Sequence, residues 1–236
     1  MPALLKYAKD RDLLCELIVV DDGSHDGTAQ AVRQFAATVD PVRLCMKVIV
    51  NDSNRGKGFS VRRGMLEASG QILLLCDADL STPIEELDRL QPMLATADVV
   101  IASRDMPDSN LSPHQPWRRR VMAKSLRAVR RLLLLRRLRD TQCGFKLFTL
   151  EAAQAVFPLA RVDGFAFDVE VLAIADRLGY RITEAGVTWR DDRDSRVRPW
   201  RDGIGMLLRI VAIWWRMQVA APGKKRLTDN TFYSAE

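Results

Sequence analysis

The chain has 236 residues, 47% of them apolar, and a formal net charge of +6. That apolar content excludes a disordered chain, and the length suits one large α/β domain with a sizeable core. The positive charge gathers between Arg118 and Arg139 and again between Arg190 and Arg201, which implies an anionic partner: phosphate groups, anionic lipid or nucleic acid.

Residues 2–14 read as an amphipathic helix with Leu4, Leu5, Ala8 and Leu13 on one face. Met1 to Arg11 lacks the apolar stretch of a signal peptide. Glu16 to Val20 is a strand that runs into an acidic, glycine-containing turn, Asp21 to Thr28. Gly23 and Gly27 allow a tight turn there, Asp22 is either a turn residue or a ligand contact, and His25 is a solvated loop residue. A helix carrying Ala31, Val32 and Phe35 follows. Val42 to Val50 is a second strand, leading to Asn54-Arg55-Gly56-Lys57-Gly58 and a helix from Phe59 to Ala68. Backbone N–H groups at such a helix start can face an anion, and Lys57 adds charge. The spacing is not that of a P-loop.

Ile72 to Cys76 is an unbroken apolar run, which suits a strand buried on both faces of a parallel sheet. It switches abruptly to Asp77-Ala78-Asp79. Two carboxylates at the carboxyl end of a strand sit where open α/β sheets bind ligands, and their oxygens suit a hard divalent cation that in turn suits a diphosphate. Such a pair also ends strands and caps helices, so the motif alone leaves both roles open. Beyond it, Glu85 to Leu94 reads as a helix, Asp98 to Ala102 as a buried strand ending in Ser103-Arg104-Asp105, and Met106 to Pro116 as a loop.

From Trp117 to Arg139 apolar residues interleave with arginines, and no acidic residue occurs between Arg118 and Arg139. A basic amphipathic helix of this kind reads as a membrane-surface element, with a solvated face over an ordinary core helix as the alternative. Asp140 to Phe148 is a turn feeding a short strand, and Glu151 to Val156 is a helix. Gly164 to Asp168 leads a helix through Leu178, and Arg181 to Trp189 is a strand. Leu207 to Ala220 is apolar, too short to span a bilayer, and its Trp214-Trp215 pair suits a membrane interface. One domain therefore covers residues 1–222, and the polar tail 223–236 is expected to be disordered. Cys15, Cys45, Cys76 and Cys143 are scattered without a Cys-x-x-Cys pair and read as reduced thiols in a cytosolic setting. Strands alternating with helices, with ligand-type residues at strand ends, predict a doubly wound, mostly parallel α/β sheet.

VVDDGSHDGT, NRGKG, DADLSTP, ASRD, RDTQCGFKLF and FAFDVEVL occur in that order. Together they resemble the inverting GT-A glycosyltransferases of family two, and within it the polyprenyl-phosphate sugar transferases of the dolichyl-phosphate β-glucosyltransferase type. The resemblance covers about residues 15 to 200. It implies a single GT-A domain with amphipathic membrane-surface helices, acting at the cytoplasmic face of a membrane without a span of its own. Val20 and Asp22 fall where the nucleotide base is held. Asp77, Ala78 and Asp79 are similar to the segment that binds diphosphate and Mg2+ or Mn2+, with Asp79 the direct ligand and Asp77 beside it. Lys57 falls among the nucleotide-sugar contacts. Arg104 falls where an arginine faces donor or acceptor phosphates, and Arg119 and Arg196 fall near the positions that hold the lipid phosphate.

The activity so implied is transfer of a hexose, glucose from UDP-glucose, to a polyprenyl phosphate, with inversion. Partners are a nucleotide sugar, the lipid phosphate and a membrane surface; no nucleic-acid motif accompanies the basic residues. Ser81 stands where mannose synthases often carry a metal-binding glutamine, which weighs against GDP-mannose as donor. A GDP-mannose-dependent enzyme and a non-catalytic membrane-surface protein are the alternatives. Families of this type open with a further strand before the first helix, between the strands at Glu16–Val20 and Ile72–Cys76. The sequence begins inside that helix, so a fragment or an upstream start is expected.

Overall fold

A computed structural model describes residues 1–42, 44–111, 133–190 and 199–219. β-branched runs at Ile18-Val19-Val20 and Val48-Ile49-Val50 favour extended backbone. They form β1 (Cys15–Asp21) and β2 (Leu44–Val50), parallel and in register from Cys15 opposite Leu44 to Asp21 opposite Val50. Between them α2 (Thr28–Ala36) starts after Gly27, whose φ of +81° only glycine adopts without cost, and buries Val32. Before β1, α1 (Pro2–Asp10) turns Tyr7 and Ala8 inward. It is shorter than the 2–14 expected, because Asp12 adopts a φ of +50°. Leu4 and Leu13 do pack on the core beside Ile84 and Leu90, as their spacing predicts.

The second sheet holds β3 (Ile72–Cys76), β4 (Val99–Ser103), β6 (Phe145–Thr149) and β7 (Ile182–Gly186) in the order β3-β6-β4-β7. β4 and β7 are parallel, while β6 runs antiparallel to both of its neighbours. A short parallel pair, β5 (Asn110–Leu111) with β8 (Thr188–Trp189), lies apart. The α/β class and the prevalence of parallel pairs agree with the sequence reading. β3 does not agree in detail. It alternates, with Leu73 and Leu75 buried and Ile72 exposed, its partner is antiparallel, and its other edge meets no strand among the described residues. A run is buried completely where both faces of the sheet are covered and strands flank both edges. β4 has such flanks, and Val99 to Ala102 are all fully buried.

β1 and β3 do not pair with each other. They are joined by α3 (Lys57–Glu67), which packs on both. Gly64 of α3 lies against Val20, and the Glu16 carboxylate accepts the Ser69 N–H at 2.9 Å. The segment expected as a helix over 85–94 is broken into a 3-10 turn at Ile84–Glu86, α4 (Leu87–Leu90) and a second 3-10 turn at Gln91–Ala95. Pro92 lacks the N–H that a continuous α-helix needs there. α5 (Leu150–Val156) is capped by the Thr149 hydroxyl, which accepts the Ala152 N–H at 3.2 Å.

α6 (Phe167–Arg177) is buried from Phe167 to Ala175 and forms the centre of the larger core. α7 (Pro199–Val219) docks on it through Ile210 and Ile213, and Arg216 pairs with the buried Glu170 of α6. It starts at Pro199 rather than at Leu207, since amphipathic turns as well as apolar ones can be helical. Leu208, Val211, Trp215 and Val219 are exposed on α7. Among the described residues no helix is long and apolar enough to cross a membrane. The basic stretch 117–139 lies largely outside the described residues. Its described end fits the alternative of a solvated charged face over a core: Leu135 and Leu138 are buried, while Arg136, Arg137 and Arg139 are exposed. Most of 190–200 and the tail 223–236 also lie outside.

Candidate active site

The carboxyl ends of β1, β3 and β4 carry the acidic and basic residues singled out from the sequence. Immediately after β1, Asp22 accepts the Arg55 N–H at 2.9 Å, the Gly56 N–H at 2.8 Å and the Asn51 amide at 2.8 Å. Burial raises its carboxyl, but these three donors outweigh burial and hold it below the usual range. Asp22 thus fastens the Arg55-Gly56 loop to β1. Gly56 (φ +100°) and Gly58 are required there, because a Cβ at either would strike the Asp163–Val162 backbone. The Asp163 carbonyl also accepts the N–H groups of Gly58 and Phe59. The N–H groups of Gly56, Gly58 and Phe59 at this helix start are therefore bonded inside the protein. Val20 is half-buried under α3, and His25 is exposed as expected.

Anchored in this way, α3 presents Lys57 to Asp77, Nζ to Oδ1 at 2.6 Å. Burial lowers the Lys57 ammonium, but Asp77 and Asp168 outweigh it and keep its affinity for the proton raised. Asp77 donates its N–H to the Gly144 carbonyl at 2.9 Å. Its carboxylate lies where a Cβ on Gly144 would be, so that position admits glycine alone. The register explains the meeting: Cys76 stands opposite Phe145, which lays the 140–144 turn beside the end of β3. Ala78 and Asp79 are exposed, and Asp79 accepts the Ser81 N–H at 2.9 Å.

At the end of β4, Arg104 is gripped by the buried Asp140, Nε at 2.6 Å and Nη2 at 3.1 Å, and lies 5.4 Å from the Trp189 ring centre. Asp140 also accepts the N–H groups of Arg104 and Gln142. Burial opposes charge on both partners, yet their attraction prevails: Asp140 is held well below the carboxylate range and Arg104 well above its own. Farther in, Lys146 of β6 and Asp168 of α6 pair at 2.5 Å, with Lys146 also donating to the Cys143 carbonyl. Burial raises the Asp168 carboxyl, with Lys146 and Lys57 opposing it. Burial and nearby carboxylates push the Cys76 thiol up to about 12, so it is an inert thiol of the core rather than a nucleophile.

The structure therefore brings Lys57, Asp77 and Asp79 together and links them to Arg104 through one turn, Asp140 to Gly144. Asp140, Gly144, Lys146 and Asp168 were not singled out as site residues. A lone lysine in GFKLF and a lone aspartate in FAFDVEVL were the available signal, since an isolated charge inside an apolar stretch needs a buried partner. Arg119 and Arg196 lie outside the described residues. Among those described, no group of three or more His, Cys, Asp and Glu side chains is arranged to hold a metal. A cation at Asp79 would thus take most of its ligands from a diphosphate and water, as Mg2+ and Mn2+ do in nucleotide sites. The exposed carboxylate of Asp79 fits that use; Asp77, held by Lys57, fits it less well than the sequence pattern implied.

The sequence model of the family described as Glycosyl transferase family 2 matches residues 2–157. A dolichyl-phosphate beta-glucosyltransferase of Dictyostelium discoideum is 33% identical over 217 residues, 89% of this chain and 66% of the relative. The Homo sapiens protein of the same description is 30% identical over 227 residues, 90% of this chain and 69% of the relative. The chain thus spans about two thirds of the length of these relatives. Among solved structures, glucosyl-3-phosphoglycerate synthase from Mycobacterium tuberculosis, in complex with Mn2+, UDP-glucose and glycerol 3-phosphate, superposes with a TM-score of 0.56 at 16% identity. The match covers 93% of this chain and 85% of that one, and it shows a shared fold.

Proposed function

This chain belongs to glycosyl transferase family 2, and from that premise we propose that it transfers glucose from UDP-glucose to a polyprenyl phosphate with inversion at the sugar. The observation that carries the reading is a lysine paired with the first of two carboxylates at the end of β3, with an arginine braced by Asp140 at the end of β4, in a chain a third identical to a dolichyl-phosphate beta-glucosyltransferase. The acceptor is an anionic phosphate, so its oxygen needs no general base. That oxygen bonds to the anomeric carbon from the face opposite UDP, the bond from that carbon to the diphosphate oxygen breaks, and the pair of electrons leaves on UDP.

The work left to the protein is placement and charge. Arg104, fixed edge-on by Asp140, offers the rest of its planar fork to phosphate oxygens and relieves the repulsion between acceptor and donor. Lys57 adds a second fixed cation on the donor side. Asp79 would hold Mg2+ or Mn2+, which supplies charge neutralisation for the leaving diphosphate. Val20 and Asp22 support the nucleotide end of the site, Asp22 through its hold on the Arg55-Gly56 loop. Arg119 and Arg196 are proposed for the lipid phosphate, and the exposed apolar side chains of α7 for the surface of the cytoplasmic leaflet that presents it.

The decisive experiment incubates the protein with polyprenyl phosphate in membranes and labelled UDP-glucose or GDP-mannose. Label from UDP-glucose should enter the lipid phase; label entering from GDP-mannose alone would replace the donor, and none from either would reject the activity. Arg196→Ala should raise the acceptor KM, or lower kcat, with little change in UDP-glucose affinity. A fall in donor affinity alone would put that arginine on the other substrate.

A further inference from the structure

The two aspartates of Asp77-Ala78-Asp79 stand in different states. Asp77 is held at three points: Lys57 Nζ lies 2.6 Å from Oδ1, the Asp77 N–H is bonded to the Gly144 carbonyl at 2.9 Å, and the carboxylate fills the space beside the Gly144 Cα. Lys57 is itself fixed. It begins α3, whose first turn is held by Asp22 on one side and by the Asp163 carbonyl on the other, and its ammonium lies 5.9 Å from the Phe167 ring centre. Behind it Asp168 is paired with Lys146, both almost fully buried. Asp79 is exposed and makes a single-residue Asx turn to Ser81.

We infer that Lys57 reserves Asp77: its ammonium stands where a divalent cation would have to bind that carboxylate, so the cation enters with the nucleotide diphosphate, on Asp79, and not ahead of it. The inference rests on the metal-assisted transfer proposed above and assigns Lys57 as the residue that sets the order of binding. Charge supports it. Asp77, Asp79 and Asp168 face Lys57 and Lys146, which leaves too little net negative charge to draw a dication out of water. A diphosphate brings both the charge and the oxygens that are lacking. The same ammonium is then placed to meet the diphosphate.

The test needs no turnover. Mn2+ is titrated into the full chain without nucleotide, bound metal being read from the loss of the free-ion electron paramagnetic resonance signal, in wild type, Lys57→Met, Lys57→Gln and Lys57→Arg; the titration is repeated with UDP. Wild type should bind Mn2+ at least about tenfold more tightly with UDP than without. Lys57→Met and Lys57→Gln should each gain roughly tenfold in nucleotide-free affinity, the worth of one charge-assisted hydrogen bond. Lys57→Arg should stay with wild type, and adding Asp77→Asn to Lys57→Met should abolish the gain. The inference fails if the neutral variants that fold bind nucleotide-free Mn2+ no better than wild type, or if UDP leaves wild-type affinity unchanged while UDP itself binds. Absence of any UDP binding would reject the donor assignment instead, and the comparison of Lys57 variants without nucleotide would still decide the role of Lys57.

Discussion

Asp79 and Asp140 show how differently two carboxylates of one site are used. Asp79 is exposed and accepts one backbone N–H, so its loss should leave the fold intact. Asp79→Asn should cut transfer by roughly two orders of magnitude or more, the scale of removing an electrostatic stabiliser of the leaving group, with an unchanged circular dichroism spectrum. Near-normal kcat at saturating UDP-glucose would remove Asp79 from the mechanism. Asp140 is buried and holds the Arg104 guanidinium through two bonds. Asp140→Asn leaves a guanidinium without its counter-charge, at a cost of about 3 kcal/mol, read from the denaturation midpoint. The pH dependence follows from the sign. The carboxyl of Asp140 is depressed in the folded state, so its stabilisation is fully present above the unfolded value of about 4. It is lost as pH falls toward the folded value. Wild type should therefore lose stability on acidification below about pH 4 more steeply than Asp140→Asn.

Among the elements, α7 has two unlike faces. Ile210 and Ile213 are buried, and Arg216 meets Glu170, whose other oxygen accepts the Arg161 and Val162 N–H groups at 2.9 and 2.7 Å. Leu208, Val211, Trp215 and Val219 are exposed. Their spacing of three or four residues places them along one side of the helix. If that side meets a bilayer surface, Leu208→Ser with Trp215→Ser should lower partitioning onto anionic vesicles by at least about tenfold, each buried apolar side chain being worth about 1.5–3 kcal/mol. Equal partitioning of variant and parent would mean that this side faces water or protein. Glu170→Gln tests the other side: it should loosen α7 and show as a lowered unfolding midpoint even without vesicles.

At the scale of the whole molecule the two sheets that carry the candidate site are separate parts. β4 and β6 lie inside the four-stranded part, with residues fully buried, whereas β1 pairs, among the described residues, with β2 alone and is mostly half-buried. No backbone bond joins β1 to β3, and α3 is what connects the parts. Local stability follows burial and backbone pairing. Amide exchange should therefore be markedly faster in β1 and β2 than in β4 and β6. Uniform protection across all four strands would show that the two parts open as one unit.

Much of this was legible in the sequence because it is local. Period and turn chemistry mark Ile72–Cys76, the helix after Thr28 and the strand end at Asp77, since the residues that decide them are neighbours along the chain. The candidate site was legible in part for the same reason: Asp77, Asp79, Lys57 and Arg104 follow strands or open a helix. The chain alone could not disclose their partners. Lys57 meets Asp77 across twenty residues, Arg104 meets Asp140, and Lys146 meets Asp168, each pair brought together by strand order and register. The same applies to the direction of β6, the exposure of β3 and the hydrogen bonds by which Asp22 holds the Arg55-Gly56 loop. Hydrophobic pattern is a property of single residues and determines which segments seek a core. Which edge a strand presents, and which charge faces which, depends on contacts between distant segments, and only the tertiary structure decided them.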